Sequence, residues 1–528
     1  MNIYFIGMCA AMVIFIIIGI VIGRKIRNSS DFYVAGRAAP VLLVAGSIVA
    51  SYASTGLFMG DAAEAYLGVF GPMVVLDVGL AAGYFLGGAF FGRYLRRSRA
   101  LTIPDFFGKR FDSKPVRILS AITAIVMMTV YLLSVMTGIG TLMNSVTGVS
   151  YTLCILIATV VFVFISVVSG SRGVLVTDTL MAVIFTVSLI IAAIAIPQST
   201  GGWFATVRDI AATDPELLSW SGKVGELYDT GGKNFIFVFF SLIIWVSVTM
   251  VGPWQSSRYQ MAKSEHIVSR STVFAVLGVA VIEFLALMAG AFVYHLNPNL
   301  EDSAQCLIWA SMNVLPVWLG VLLLTGVLSA GISSATTFLS LIGASFANDI
   351  FCAEEKRSIR IGQIAMIVIA VLVFGLTQVN STSIYWIMYL GGSIVVSSWM
   401  PVAVASIFSK RATKKGVFTG MLIGFIVCFA LRLMTSLTEL TLPFWLDASI
   451  LGMLCNILTM VIVSAMGKPT DTEIARREAL FVMPEAEKDP NEMRLTLKNA
   501  RFGIAVGIFV TVLFLVLWVI PYLQGLIK

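Results

Sequence analysis

Long apolar runs separated by shorter polar segments repeat along the whole sequence. A helix needs about 20 apolar residues to cross the hydrocarbon core of a bilayer, and runs of this length predict fourteen membrane-spanning helices, numbered here as spans 1 to 14. They lie near residues 3–23, 40–69, 72–92, 118–142, 151–169, 176–197, 234–254, 272–295, 316–345, 361–380, 385–408, 416–435, 446–466 and 503–523. The pattern predicts an all-α, multi-pass membrane protein that contacts the lipid bilayer along most of its length.

The composition and charge pattern support this class. Of the 528 residues, 58% are hydrophobic and 12% are charged, whereas soluble chains carry about 25% charged residues. All but five of the 35 Lys and Arg residues lie in segments that follow odd-numbered spans; the exceptions are Arg208, Lys223, Lys233, Arg432 and Lys528. The protein is predicted to lie in the plasma or inner membrane of the cell. Because cytoplasmic loops are the basic ones, both termini are predicted to lie on the outer side of this membrane. The basic residues thus follow the membrane topology, and the net charge of +7 does not indicate nucleic-acid binding.

Span 2 contains a weak point, the stretch VASYASTGLFMG at Val49–Gly60. Its middle consists of small and hydroxylated residues inside a run that is otherwise apolar. A helix that unwinds there releases backbone carbonyls, which are tolerated within a membrane only where they line a cavity or hold an ion. We therefore expect a broken helix that supplies one half of a cation site.

Span 9 offers a matching polar face. Ala330, Ser333, Ser334 and Thr337 follow one another at i, i+3, i+4 and i+7, which places them on one side of a helix. Hydroxyl and carbonyl oxygens are the ligands of hard cations, so this face is a candidate for the second half of the site. The alternative is that these hydroxyls simply bond back to the preceding turn of their own helix.

Glycine and proline predict details of packing. In span 3, Gly79, Gly83 and Gly87 recur every four residues and predict the close approach of another helix. Gly252–Pro253 predicts a kink at the end of span 7. The polar segment 198–233 is expected to hold one or two short helices, and 467–502 a short amphipathic helix between Pro469 and Pro484.

The sequence contains none of the common motifs of enzyme active sites. The six cysteines are scattered without a CxxC pair, and the two histidines, His266 and His295, stand apart from any cluster with metal-ligand spacing. No phosphate-binding loop or nucleophile motif is present. A polytopic enzyme is therefore not expected.

Six motifs in this order resemble the sodium/solute symporter family, which includes bacterial sodium/galactose, sodium/proline and sodium/sialic acid transporters. They are DFYVAGR, ASYASTGLFMGDAAEAYLG, LTIPDFFGKRF, SGSRGVLVTD, WQSSRYQMAKS and AGISSATTFLSLIGASFANDI. The resemblance implies the leucine-transporter fold, with two inverted five-helix repeats around a central site. The repeats would occupy 40–197 and 234–408, joined by the loop 198–233, with 1–39 (span 1 and its linker) and 409–528 (spans 12–14 and the loop 467–502) at the periphery.

The resemblance also implies ligands for sodium. The main site would use the backbone carbonyls of Ala50, Ala53 and Ala330 with the hydroxyls of Ser333 and Ser334. Some relatives hold a second sodium, and its counterparts here are Asp178, Thr336 and Thr337. Alternatively, Asp178 is a gating or interfacial carboxylate near the cytoplasmic end of span 6.

The solute site is less well defined. By the same resemblance it would lie beside Tyr52, Gly56 and Leu57. Sugar-handling relatives carry amide or acidic side chains in this region, whereas this chain has Gly56 and Leu57, which argues against a close similarity to the sugar transporters. Four further acids are candidates within the membrane: Asp61, Glu64, Asp77 and Glu283. Asp61 and Glu64 fall towards the outer end of span 2, where they contact either vestibule water alone or the transport path; in the path they would favour a cationic or zwitterionic solute. The motif FYVAGR also occurs in monocarboxylate and acetate members, so the solute class stays open at this point.

The sequence thus predicts a sodium-coupled secondary symporter that imports a small organic solute by alternating access, with sodium co-transported. Two alternatives remain: a proton-coupled carrier on the same scaffold, with Asp178 or Glu283 titrating, and a transporter-like solute sensor. The absence of an appended output domain counts against the sensor. The sequence does not define the oligomeric state.

Overall fold

Helices account for the architecture of the protein, seen in a computed structural model that describes residues 2–24, 26, 28–223, 233–379, 383–438 and 442–527. Fourteen helices carry labels here: α1 (Ile3–Gly23), α2 (Val41–Tyr52), α3 (Phe70–Leu86), α4 (Lys114–Thr147), α5 (Tyr151–Ala195), α6 (Lys233–Val251), α7 (Pro253–Met261), α8 (Glu265–Leu296), α9 (Val317–Ala344), α10 (Glu355–Thr377), α11 (Ile384–Ile394), α12 (Lys414–Leu437), α13 (Ala448–Ala465) and α14 (Pro490–Phe514). Short π-helical turns continue several of them, at Leu57–Asp61, Ala65–Val69, Gly87–Gly92, Ser345–Ile350, Val395–Trp399 and Leu515–Val519.

Twelve helices in the described part of the chain are long and apolar enough to cross a membrane. Two of these twelve are interrupted at a glycine: Tyr151–Thr200 contains predicted spans 5 and 6, and Leu57–Arg97 contains the later part of span 2 and the whole of span 3. The breaks lie at Gly68 (φ 96°) and Gly170 (φ 50°), backbone conformations that glycine adopts without steric penalty. All fourteen predicted spans are accounted for when each interrupted helix is counted as two. Span 2 then consists of α2 together with the helical segment from Leu57 to Gly68.

The shorter elements also agree with the sequence. The segment 198–233 contains the helix Trp203–Thr213 and a short turn of 3₁₀ helix at Pro215–Leu218, while its part 224–232 lies outside the described residues. An amphipathic helix forms at Asp471–Ala479 and begins with a capping box from Thr470 and Glu473. Helix α6 ends at Val251 and α7 begins at Pro253, so the predicted kink is present.

Helices that are more than half buried pack around the break after α2. Helix α9 packs against α5 and α4, while α8 packs against α2 and α3. By contrast, the apolar stretches of α1, α12, α13 and α14 are less than half buried, as expected for helices that face lipid. The polar residues analysed below are therefore enclosed by α2, α3, α5, α8 and α9.

The glycine face of α3 contacts α6, as the sequence predicts. A β-carbon at Gly79 would overlap Leu242, and one at Gly87 would lie 2.9 Å from the backbone oxygen of Met250. At Gly83 it would overlap the Thr249 hydroxyl and lie 2.7 Å from the Val246 backbone oxygen. The two helices can approach this closely only because these positions lack side chains.

Replacing Gly83 with alanine is expected to destabilise the protein by about 1–3 kcal/mol, the usual cost of overpacking a close contact. The thermal unfolding temperature of the purified protein measures this loss. Gly375→Ala is the matched control, because a β-carbon there would have no neighbour within 4 Å. Equal unfolding temperatures for both variants would contradict the close packing of α3 on α6.

Candidate functional site

The predicted break in span 2 is present and buried. Helix α2 ends at Tyr52, Ala53 is extended (φ −66°, ψ 111°), and helical structure resumes at Thr55. Ala50 and Ala53 are both fully buried. Because the last carbonyls of a helix lack hydrogen-bond donors within it, the break leaves backbone oxygens that can accept a hydrogen bond from another helix or bind a cation.

The hydroxyl face of α9 lies opposite this break. Ala330, Ser333 and Ser334 are fully buried, and the Ser333 hydroxyl lies 3.4 Å from the carbonyl oxygen of Ala50. Within the described part of the chain, the Ser334 hydroxyl has no hydrogen-bond partner. The two halves predicted from the sequence, about 280 residues apart, are thus brought together, and the Ser334 hydroxyl between them is left without a partner among the described residues.

The hydroxyls of α9 differ in their partners. Thr336 donates to the carbonyl of Ser333 within its own helix at 2.9 Å, as the back-bonding alternative predicts. Ser333 instead donates to a carboxylate oxygen of Asp178 at 2.7 Å, and its lone pairs remain available. The back-bonding alternative therefore describes Thr336 but not Ser333.

Asp178 is fully buried and accepts three hydrogen bonds. Besides Ser333, the Ser47 hydroxyl donates at 2.6 Å and the Arg258 guanidinium at 2.9 Å. Arg258 also donates to the Thr337 hydroxyl at 2.5 Å. A cationic side chain therefore contacts two of the three residues that the family resemblance implies for a second sodium.

The sequence did not reveal the role of Arg258. Its position after span 7 groups it with the loop cations, yet all nine residues of α7 are buried, Arg258 among them. A buried ion pair is stable only when the charges are paired and their remaining polar atoms are bonded. The run of polar residues WQSSRYQ directly after the Gly252–Pro253 kink was the available signal, because such a run next to an apolar span is rarely buried without a partner.

A cavity lies on the other side of the break. Its volume is about 50 Å³, room for a few water molecules. Of the predicted solute residues, Tyr52 and Leu57 line it; Gly56 does not, but a β-carbon there would lie 2.5 Å from the sulfur of Met388, which does. The remaining lining residues are Ser51, Ser54, Asp61, Met73, Leu76, Leu80, Tyr84, Tyr131, Trp245, Val248, Thr249, Trp254, Glu283, Phe338 and Tyr385.

The four further acids separate into two groups. Asp61 and Glu283 line the cavity, and Tyr52 donates a hydrogen bond to Glu283. Asp77 is fully buried on α3, between the lining residues of that helix. Glu64 lies instead in a wider cleft of about 650 Å³ that also includes Tyr385, so it is not part of the small cavity.

A bundle of helices that cross the membrane, with a broken helix opposite a hydroxyl face and a buried cavity beside it, defines a secondary transporter. The family model described as the sodium:solute symporter family matches residues 32–424. The chain belongs to this family. It is accordingly a sodium-coupled transporter and not an enzyme, which confirms the resemblance drawn from the six motifs.

Curated relatives match nearly the full chain at low identity. The sodium/proline symporter of Salmonella typhimurium is 23% identical over 490 residues, covering 88% of this chain and 93% of that protein. The sodium/proline symporter of Staphylococcus aureus is 24% identical over 481 residues, covering 86% and 92%. These are proteins that the chain resembles over its length.

Solved structures confirm the predicted leucine-transporter-like fold. A Na⁺-coupled sialic acid symporter in a substrate-bound, outward-open state aligns with a TM-score of 0.74 at 17% identity, covering 89% of this chain and 98% of that one. Mhp1, a nucleobase-cation-symport-1 family transporter with bromovinylhydantoin bound, aligns with a TM-score of 0.53 at 14% identity, covering 86% and 99%.

Proposed function

We propose that the protein imports a small organic solute by alternating access, driven by one sodium ion per cycle. The observation that carries the proposal is the approach of the α9 hydroxyl face to the break after α2. Five oxygens would hold the ion: the carbonyls of Ala50, Ala53 and Ala330 and the hydroxyls of Ser333 and Ser334. Hard cations take about this number of oxygen ligands.

Asp178 supports the main site indirectly. Its carboxylate accepts a hydrogen bond from the Ser333 hydroxyl, which leaves the lone pairs of that hydroxyl directed towards the ion. The charge of Asp178 is compensated by Arg258 at 2.9 Å. We infer that Arg258 supplies the positive charge that a second sodium would bring to Asp178, Thr336 and Thr337, which favours a ratio of one sodium per solute.

One sodium ion is sufficient to accumulate a solute. Its charge moving across about 100 mV releases roughly 2.3 kcal/mol, and a tenfold sodium gradient adds about 1.4 kcal/mol. Together they support accumulation of an electroneutral solute by roughly 500-fold. No ATP is required for this degree of accumulation.

Uptake into proteoliposomes tests the proposal against proton coupling. With an imposed sodium gradient, we expect solute uptake to continue when a protonophore abolishes the proton gradient, and to stop when sodium is replaced by potassium. Before a solute is known, sodium binding can be tested on the detergent-solubilised protein. We expect sodium, but not potassium, to raise its unfolding temperature. Uptake that follows the proton gradient and ignores sodium would overturn the proposal.

A further inference from the structure

Two carboxylates line the solute cavity and a third lies on a helix of its wall, and none of the three has a basic partner in the described chain. Asp61 and Glu283 line the cavity, and Asp77 lies on the same face of α3 as the lining residues Met73 and Leu80, four residues after one and three before the other. None of the three forms an ion pair with a Lys, Arg or His of the described chain. The negative charge of this region is therefore not balanced by the protein.

Two other fully buried carboxylates of this protein are paired with arginine. Asp178 is paired with Arg258 at 2.9 Å, and Asp349 with Arg117 at 2.9 Å. Asp77, in contrast, is fully buried, and neither of its carboxylate oxygens has a hydrogen-bond partner among the described residues. Burying a charged carboxylate without a partner is costly, so this group either takes up a proton or is paired by a cation from outside the chain.

The cavity acids repel one another. Asp61 and Glu283 line the same small cavity, and carboxylates that share a site disfavour each other's charged form. Tyr52 donates one hydrogen bond to Glu283, which relieves one oxygen and leaves the charge in place. A single positive charge in the cavity would be attracted by all three carboxylates at once.

Aromatic rings form much of the remaining wall. Tyr131 packs against Trp254 with ring centroids 4.5 Å apart, and both pack against Phe338 at 5.7 and 5.8 Å. Tyr84 packs edge-on against Tyr52 at 5.9 Å. Ring faces attract cations, and aromatic cages with nearby carboxylates recognise quaternary and methylated ammonium groups.

Two details of the lining refine the class of ligand. The Tyr131 hydroxyl is buried in the cavity wall without a hydrogen-bond partner among the described residues, so a polar atom of the ligand can bond to it. The described lining contains no Lys, Arg or His that would hold a carboxylate. The wall therefore matches a positive charge with one small polar group, and it does not match an anion.

We propose that the transported solute is a small organic cation, an ammonium compound whose charge lies between the cavity carboxylates and the ring faces of Trp254 and Tyr131. This inference rests on the proposed function, because it assigns a ligand to the solute cavity of a sodium symporter. It differs from the solutes that name the curated relatives, since proline is a zwitterion.

Pairs of ligands that differ mainly in charge test this inference. Choline and 3,3-dimethyl-1-butanol share a shape but only choline is charged; 1,4-diaminobutane and 1,4-butanediol form a second pair. We expect at least one cation to raise the unfolding temperature of the protein in sodium but not in potassium, and its neutral partner to have no effect. L-Proline and acetate serve as zwitterionic and anionic comparisons.

The outcomes separate the inference from the proposed function. If sodium alone stabilises the protein but no cation adds to this, or if proline, acetate or a neutral alcohol does so instead, the cation inference is wrong and the sodium site stands. If sodium has no effect on stability or on uptake, the proposed function fails first. A cation effect without sodium dependence would likewise overturn the symport on which the inference rests.

Variants link the effect to the carboxylates. Glu283→Gln and Asp61→Asn are each expected to weaken the response to the cation at least tenfold while the stabilisation by sodium persists, which shows that the variant is folded. Glu301→Gln is the matched control, because Glu301 is exposed on a loop and should bind the cation as the unaltered protein does. Unchanged cation binding in both cavity variants would overturn the proposal.

Discussion

Replacing Ser334 with alanine is expected to raise the sodium concentration needed for half-maximal effect by about 10- to 100-fold. A hydrogen-bonding group that contacts a charge contributes about 1.5–3 kcal/mol, and each 1.4 kcal/mol is a factor of ten in affinity. The Ser334 hydroxyl is buried and makes no hydrogen bond among the described residues, so its removal breaks no other interaction. Sodium-dependent thermal stabilisation measures the change directly.

Ser333→Ala should weaken sodium binding at least as strongly, because it also removes a hydrogen bond to Asp178. Ser329→Ala is the matched control on the same helix: the Ser329 hydroxyl is buried but donates to the carbonyl of Thr325 at 2.6 Å. We expect its sodium dependence to equal that of the unaltered protein. If Ser333→Ala and Ser334→Ala both retain normal sodium dependence, the assignment of the main site is wrong.

Replacing Arg258 with methionine is expected to destabilise the protein by about 3–5 kcal/mol, because it leaves the buried charge of Asp178 without its counter-ion. The double variant Arg258→Met with Asp178→Asn removes both charges together and should recover most of the unfolding temperature. Two single variants and the double variant form a cycle that isolates the coupling between the two side chains.

The same variants decide between Arg258 and a second sodium as the partner of Asp178. If Arg258 is the partner, the unaltered protein transports one sodium per solute, measured as parallel fluxes of both. A ratio of two, or an Arg258→Met variant as stable as the unaltered protein, would contradict the pairing. In that case a second sodium ion bound by Asp178, Thr336 and Thr337 would be the better explanation.

Several features could be read from the sequence because they depend on local physical chemistry. Runs of about 20 apolar residues must become helices in a bilayer, where backbone groups have no water to bond. The cluster of small residues at Val49–Gly60 weakens one such helix, and the spacing of Ala330, Ser333 and Ser334 places them on one face. The helices, the break and the hydroxyl face were therefore predicted before any tertiary contact was known.

Residues that act through distant partners could not be read in this way. Arg258 follows an apolar span as a loop cation does, and only the turn of α7 into the bundle brings it to Asp178, 80 positions earlier in the chain. The acids at 61, 77 and 283 were visible singly in the sequence, and their wide spacing gave no sign that two of them line one cavity and the third lies on a helix of its wall.

The stretch at Val49–Gly60 shows the difference between what the sequence predicts and what only the tertiary structure reveals. By itself the sequence determined the break in this helix, and its motifs indicated a sodium symporter; the binding of an ion by the freed carbonyls stays a prediction. The tertiary structure alone decided that α9 covers one side of the break and the acidic, aromatic cavity the other. Periodicity records which face of a helix is polar, but not which other helix that face meets.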